Sequence, residues 1–194
     1  MSEFSLYLQL GIDHILDVKG YDHILFVVAL CTIYTISDWK KLLIMVTAFT
    51  LGHSVTLALA TFQLVRFNSD IIEFLIPVTI FVTAFFNILR GSRQFSYRGF
   101  DQNYLFALFF GLVHGLGFSN YLIRLLGKDT SILTQLFAFN IGLEIGQIII
   151  VAIFMTSSFI FVDLFNTNQR DWRLVISSAV AGIALTIMIE TKFW

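Results

Sequence analysis

The sequence predicts an all-α, polytopic membrane protein: a bundle of about six transmembrane helices with a short amphipathic helix at its N-terminus. Three observations lead there. Of 194 residues, 57% are hydrophobic and only 13% charged, whereas soluble domains run at roughly 45–50% and about 25%. Mean hydropathy is +0.83. Length is the third: a spanning helix takes roughly 20 residues, so about six spans and their connections fill residues 1–194 as a single integral membrane domain. The same composition excludes a disordered chain, and with Cys31 as the only cysteine it excludes a disulfide scaffold. A net charge of −1 leaves no basic footprint for nucleic acid.

The first 20 residues mix Phe4, Leu6, Leu8, Leu10, Ile12, Ile15 and Leu16 with Glu3, Asp13, Asp17 and Lys19. Without a basic leading segment this reads as an amphipathic helix at the interface or capping the bundle, not a signal peptide. The first span is expected at Tyr21–Tyr34, a little short, with Asp22 and His23 at its mouth. The second is Leu42–Val65 around His53. The third is Ile71–Leu89, where Pro77 should kink the helix or sit in its first turns. The fourth is Tyr104–Leu126 around His114, the fifth Ile132–Phe161 with Asn140, Glu144 and Gln147, and the sixth Leu174–Ile189. Gly111 with Gly115 and Gly142 with Gly146 are small-residue pairs that let helices approach closely.

Orientation follows from the basic residues of the connections. Lys40, Lys41, Arg90, Arg93, Arg98, Arg170 and Arg173 collect on one side, against Lys19, Arg66, Arg124, Lys128 and Lys192 on the other. The larger group is assigned to the cytoplasm, with the Gly91–Gln102 connection as its clearest loop, which leaves both termini outside.

Ionisable groups in a bilayer cost at least about 2.5–3.5 kcal/mol each, so those that persist point to function. All four histidines, His14, His23, His53 and His114, stand in apolar segments. A single buried histidine is ordinarily a satisfied hydrogen-bonding residue; four accompanied by acids suggest metal ligation, because imidazole suits Zn, Cu, Ni and Fe. Helix spacing lets Asp13, His14 and Asp17 cluster, and aligns Asn140, Glu144 and Gln147 as one polar stripe facing the bundle. Asn140 and Gln147 serve equally well as interhelical hydrogen bonders. Glu144 reads as functional, since an idle buried carboxylate is too costly to keep.

Four stretches, in order, resemble the HupE/UreJ family of small bacterial membrane proteins. They are Gly11-Ile12-Asp13-His14-Ile15 through Gly20-Tyr21-Asp22-His23-Ile24-Leu25-Phe26; Phe49-Thr50-Leu51-Gly52-His53-Ser54-Val55-Thr56-Leu57; His114-Gly115-Leu116-Gly117-Phe118; and Phe139-Asn140-Ile141-Gly142-Leu143-Glu144-Ile145-Gly146-Gln147. The resemblance implies a nickel or cobalt permease of the bacterial cytoplasmic membrane, associated with hydrogenase or urease maturation. His14 precedes Asp22-His23 by seven intervening residues, two more than in the family pattern.

The leading expectation is passage of a divalent transition metal, nickel first and zinc or cobalt next. His14, Asp22 and His23 would capture the ion at the outer face. His53, His114 and Glu144 would form a second group nearer the midplane, with Asp13, Asp17, Asn140 and Gln147 in support. Mixed imidazole and carboxylate donors suit such ions better than Ca or Mg. The alternative from another class is an intramembrane zinc hydrolase, three histidines and a carboxylate holding the metal with one open position. A bis-histidine haem through His53 and His114, and a purely structural bundle, rank lower. Lipid and metal ion are the expected partners, and the glycine pairs serve packing within a monomer or a homo-oligomer.

Overall fold

The computed structural model describes residues 2–65, 67–89, 102–126 and 132–194. It is all-α, with seven α-helices among the described residues. α1 (Glu3–Leu16) is capped by Ser2, whose hydroxyl accepts the Ser5 N–H at 3.3 Å. It stops where Asp17 becomes extended and its Oδ1 accepts the Lys19 N–H at 2.9 Å, a local turn that competes with the helix. α2 covers Asp22–Cys31. A 3-10 turn, Ile36–Asp38, with a Thr35–Asp38 capping box, leads into α3 (Trp39–Thr61). α4 is Ser69–Leu89, α5 Gln102–Leu126 and α6 Ile132–Ser158, the last continuing as a π-helical segment, Phe159–Leu164. α7 (Gln169–Glu190) is capped by Asn168, whose side chain accepts the Arg170 N–H at 2.8 Å.

Among the described residues, four segments are long and apolar enough to cross a membrane: Ile36–Thr61, Ser69–Leu89, Ile132–Leu164 and Gln169–Glu190. Within them only 22–50% of the most apolar window is buried inside the protein. The outward Val175, Ile183, Leu185 and Ile189 of α7 therefore form the surface a lipid environment would cover. The expected first span is corrected. Its helix is the ten residues of α2, roughly 15 Å, half the thickness of a bilayer core. α5, at 25 residues, covers the expected fourth span, and Asn103–Ser119 is the apolar stretch among its described residues. Pro77 lies inside α4, which runs unbroken to Leu89. Arg90, Arg93 and Arg98, on which the cytoplasmic loop assignment leaned, lie outside the described residues.

Two helix pairs set the frame, and both are built on glycine. In α3 and α5 the missing side chain of Gly52 makes room for the Leu108 carbonyl, and that of Gly111 for the Phe49 carbonyl. In α1 and α6, Gly11 accepts the Phe139 carbonyl and Gly142 the Leu8 carbonyl in the same way. Residue numbers rise together along each pair, so the partners are parallel. The sequence marks Gly111, Gly115, Gly142 and Gly146 as packing positions. The structure adds the facing halves, Gly52 and Gly11. Helix α1 is not a free interfacial helix: Tyr7, Gly11 and Ile15 are buried along one stripe against α6, while Leu6, Gln9 and Asp13 face outward.

Candidate metal centre

The glycine contacts bring the histidines together. His53 follows Gly52 and His114 precedes Gly115, so the close approach of α3 and α5 places both imidazoles on the inner side, at 0% and 1% exposure. His14 lies in the last turn of α1, three residues past Gly11. His23 opens α2 across the short break. The rings of His14 and His23 are 4.6 Å apart, each is 6.1 Å from that of His53, and the His114 ring is 5.2 Å from that of His23. One ring nitrogen from each of His14, His23 and His53 lies within 4.8 Å of the other two.

The tautomers are constrained from outside the cluster. His23 Nδ1 lies 3.2 Å from Asp22 Oδ1, and donating there leaves the Nε2 lone pair free. His114 Nδ1 donates to the Phe110 carbonyl at 2.9 Å, with the same result. His14 Nε2, His23 Nε2, both nitrogens of His53 and His114 Nε2 are buried with no hydrogen-bond partner among the described residues. Buried polar atoms are seldom left so, and five such imidazole nitrogens in one cluster constitute an unmet demand for a cation or a proton. Nitrogens bound to one Zn-sized ion at about 2.1 Å in a tetrahedral shell stand roughly 3.4 Å apart. The three therefore have to close by up to about 1.4 Å to share an ion.

The walls are aromatic. Phe118 lies against His14 with ring centres at 3.8 Å and stacks on Phe139 at 5.1 Å. Phe26 and Phe49 flank His114 at 5.2 and 5.3 Å. Read from the sequence, the 22 phenylalanines are only apolar volume. The signal for these was local: Phe49 stands four residues before His53, and Phe110 and Phe118 four before and four after His114, so each shares its histidine's helix face.

The expected division into an outer group and a midplane group is not what the geometry gives. His14, Asp22, His23, His53 and His114 form one cluster, and Glu144 lies elsewhere. Glu144 Oε1 accepts the Thr47 hydroxyl at 2.7 Å, and Gln147 Oε1 accepts the Thr50 hydroxyl at 2.8 Å, along the seam between α3 and α6. The i,i+3 match of Thr47 and Thr50 to Glu144 and Gln147 was legible as spacing but needed the helix pairing to be seen. Asn140 donates to the Leu136 carbonyl of its own helix at 2.8 Å. Asp13 is exposed and accepts from Gln9 Nε2 at 2.8 Å; Asp17 is exposed and shapes the turn after α1.

A family model described as "HupE / UreJ protein" matches residues 1–192. No curated protein and no solved structure matches the chain.

Proposed function

The chain belongs to the HupE/UreJ family, and from that premise we propose that it moves a divalent transition metal, nickel first, across the bacterial cytoplasmic membrane by way of the histidine cluster. One observation carries the reading: three imidazole nitrogens on three different helices converge within 4.8 Å in a protein of membrane-length helices. Neutral nitrogen donors favour Ni, Co and Zn over Ca and Mg, which take oxygen shells. Soft Cu(I) chemistry has no support in a lone Cys31, buried away from the cluster's ligands.

In this mechanism the ion is cargo. Asp22 holds His23 with Nε2 turned inward, and its charge reaches the donor set through that hydrogen bond. The Phe110 carbonyl does the orienting for His114. His53 is bonded through neither nitrogen, so no hydrogen bond fixes which of the two it offers to the ion. Phe26, Phe49 and Phe118 exclude water, so the ion sheds hydration in exchange for imidazole. In this reading Glu144, Gln147, Thr47 and Thr50 brace α3 against α6 beside the ion's shell. Six crossings with both termini outside complete the topology.

The test is ⁶³Ni uptake into vesicles reconstituted with the purified protein. His23→Ala and His53→Ala are expected to abolish uptake; full uptake in both variants overturns the proposal. Elemental analysis separates it from a zinc hydrolase. Cargo should leave on dialysis against chelator, whereas one tightly held zinc per chain that survives it favours the enzyme.

A further inference from the structure

The start of α1 and the end of α2 lie at opposite ends of α5. Glu3 accepts from Gln135 Nε2 at 2.9 Å, and Gln135 is in the first turn of α6, just after α5 ends at Leu126. Tyr34, shortly past α2, accepts at its hydroxyl from Asn103 Nδ2 at 3.0 Å, at the head of α5. Between these ends His23 meets His114, midway along the 25 residues of α5. The two short helices therefore run one after the other down a single path. Their 14 and 10 residues give roughly 21 and 15 Å, enough together for a bilayer core of about 30 Å, with residues 17–21 as a break in the middle.

Toward the break, the outward face of that path turns from Phe4 and Leu6 to polar residues. Gln9 and Asp13 on α1 and Asp17 just past its end recur at four-residue spacing, and all are exposed. The break is exposed from Asp17 to Tyr21, Val18 to 77%. Lipid satisfies neither open backbone nor carboxylate, so irregular chain at this depth is tolerated only where it faces water or protein. On α2 the only charged side chain beside His23 is Asp22, half-buried. The carboxylates of Asp17 and Asp22 lie 3.5 and 3.9 Å from the point where a side chain on Gly20 would begin. An exposed carboxylate thus adjoins a half-buried one, which adjoins His23 at 4% exposure. Beyond them wait the partnerless Nε2 atoms of His14 and His23.

We infer that α1 and α2 form one broken membrane crossing, and that its break is the floor of a water-filled acidic crevice, open on the side where α1 starts, through which a hydrated divalent cation reaches the histidine cluster. Gln9, Asp13 and Asp17 line it, and Asp22 stands at its end. The cargo of the crevice rests on the metal reading above; its existence does not.

Cysteine labelling in proteoliposomes tests it without metal. In a Cys31→Ala background, Ser2→Cys and Ser37→Cys are expected to react with a charged, membrane-impermeant thiol reagent from opposite sides. Val18→Cys and Lys19→Cys should react from the Ser2 side at least tenfold faster than Leu51→Cys, a lipid-facing position two residues from His53. Labelling of Ser2→Cys and Ser37→Cys from one side overturns the crossing. Val18→Cys and Lys19→Cys reacting as slowly as Leu51→Cys, whether lipid or a second protomer covers them, overturns the crevice. Loss of ⁶³Ni uptake in the native protein would leave both intact and strike only the metal reading.

Discussion

Replacing Asp22 with Asn measures how much of the metal affinity comes through a residue placed to act on a ligand. Asp22 Oδ1 sits 3.2 Å from His23 Nδ1 and its side chain is 26% exposed. Asn keeps the shape and one acceptor oxygen but removes the charge, and its amide can rotate to oppose a donor with a donor. Outer partners of metal-bound histidines typically account for about 10–100-fold in affinity, or about 1.4–2.7 kcal/mol. Asp22 is partly hydrated and its hydrogen bond is long, so the lower half of that range is expected, about 10–30-fold. Isothermal titration with Ni²⁺ of the protein in nanodiscs gives the number. Because Asp22 acts through His23, Asp22→Asn added to His23→Ala should weaken binding by less than about twofold further. An unchanged Kd for Asp22→Asn, or a full additional loss in the double variant, would refute the assignment.

The remaining expectations follow from the same geometry. Gly111→Ala and Gly142→Ala, whose new methyls run into the Phe49 and Leu8 carbonyls, should each destabilise by about 1–3 kcal/mol or more, read as a fall in thermal midpoint. Gly182→Ala, with nothing within 4 Å of the added carbon, should hold or raise that midpoint. Glu144→Gln keeps an acceptor for the Thr47 hydroxyl, so Ni²⁺ affinity should stay within about twofold of the native value. Ni²⁺ titrations at successively lower pH should show weaker binding and proton release, since an imidazole must be unprotonated to donate its lone pair.

Much of the fold was legible in the sequence because the membrane imposes a simple rule on composition. Spans around His53, Pro77, Glu144 and Val180 coincide with α3, α4, α6 and α7, each long enough for periodicity and length to agree. The first span was misjudged because apolar residues continue past Cys31 to Tyr34, while the helix ends sooner. Hydropathy sees grease, not hydrogen bonding. His14, His23, His53 and His114 stand out by their apolar context, so the cluster's members were readable. Their convergence was not, because it depends on which helices pair, and half of that code, Gly11 and Gly52, is written as single glycines without a repeat. Glu144 was grouped with the histidines on chemistry alone; two threonines on α3 claim that stripe of α6 instead.

The two glycine-locked pairs divide the ligands between separate bodies. Carbonyl-to-glycine contact leaves no slack within a pair, so α3 and α5 carry His53 and His114 as one jaw, and α1 moves with α6 carrying His14 as the other. His23, on the brief α2 beyond the break, is bound to neither jaw by such a contact. The Thr47–Glu144 and Thr50–Gln147 hydrogen bonds tie one jaw to the other, so any motion that parts His14 from His53 while His53 and His114 keep their spacing has to strain or break them. The seam between α3 and α6 then belongs to the grip on an ion as much as the imidazoles do.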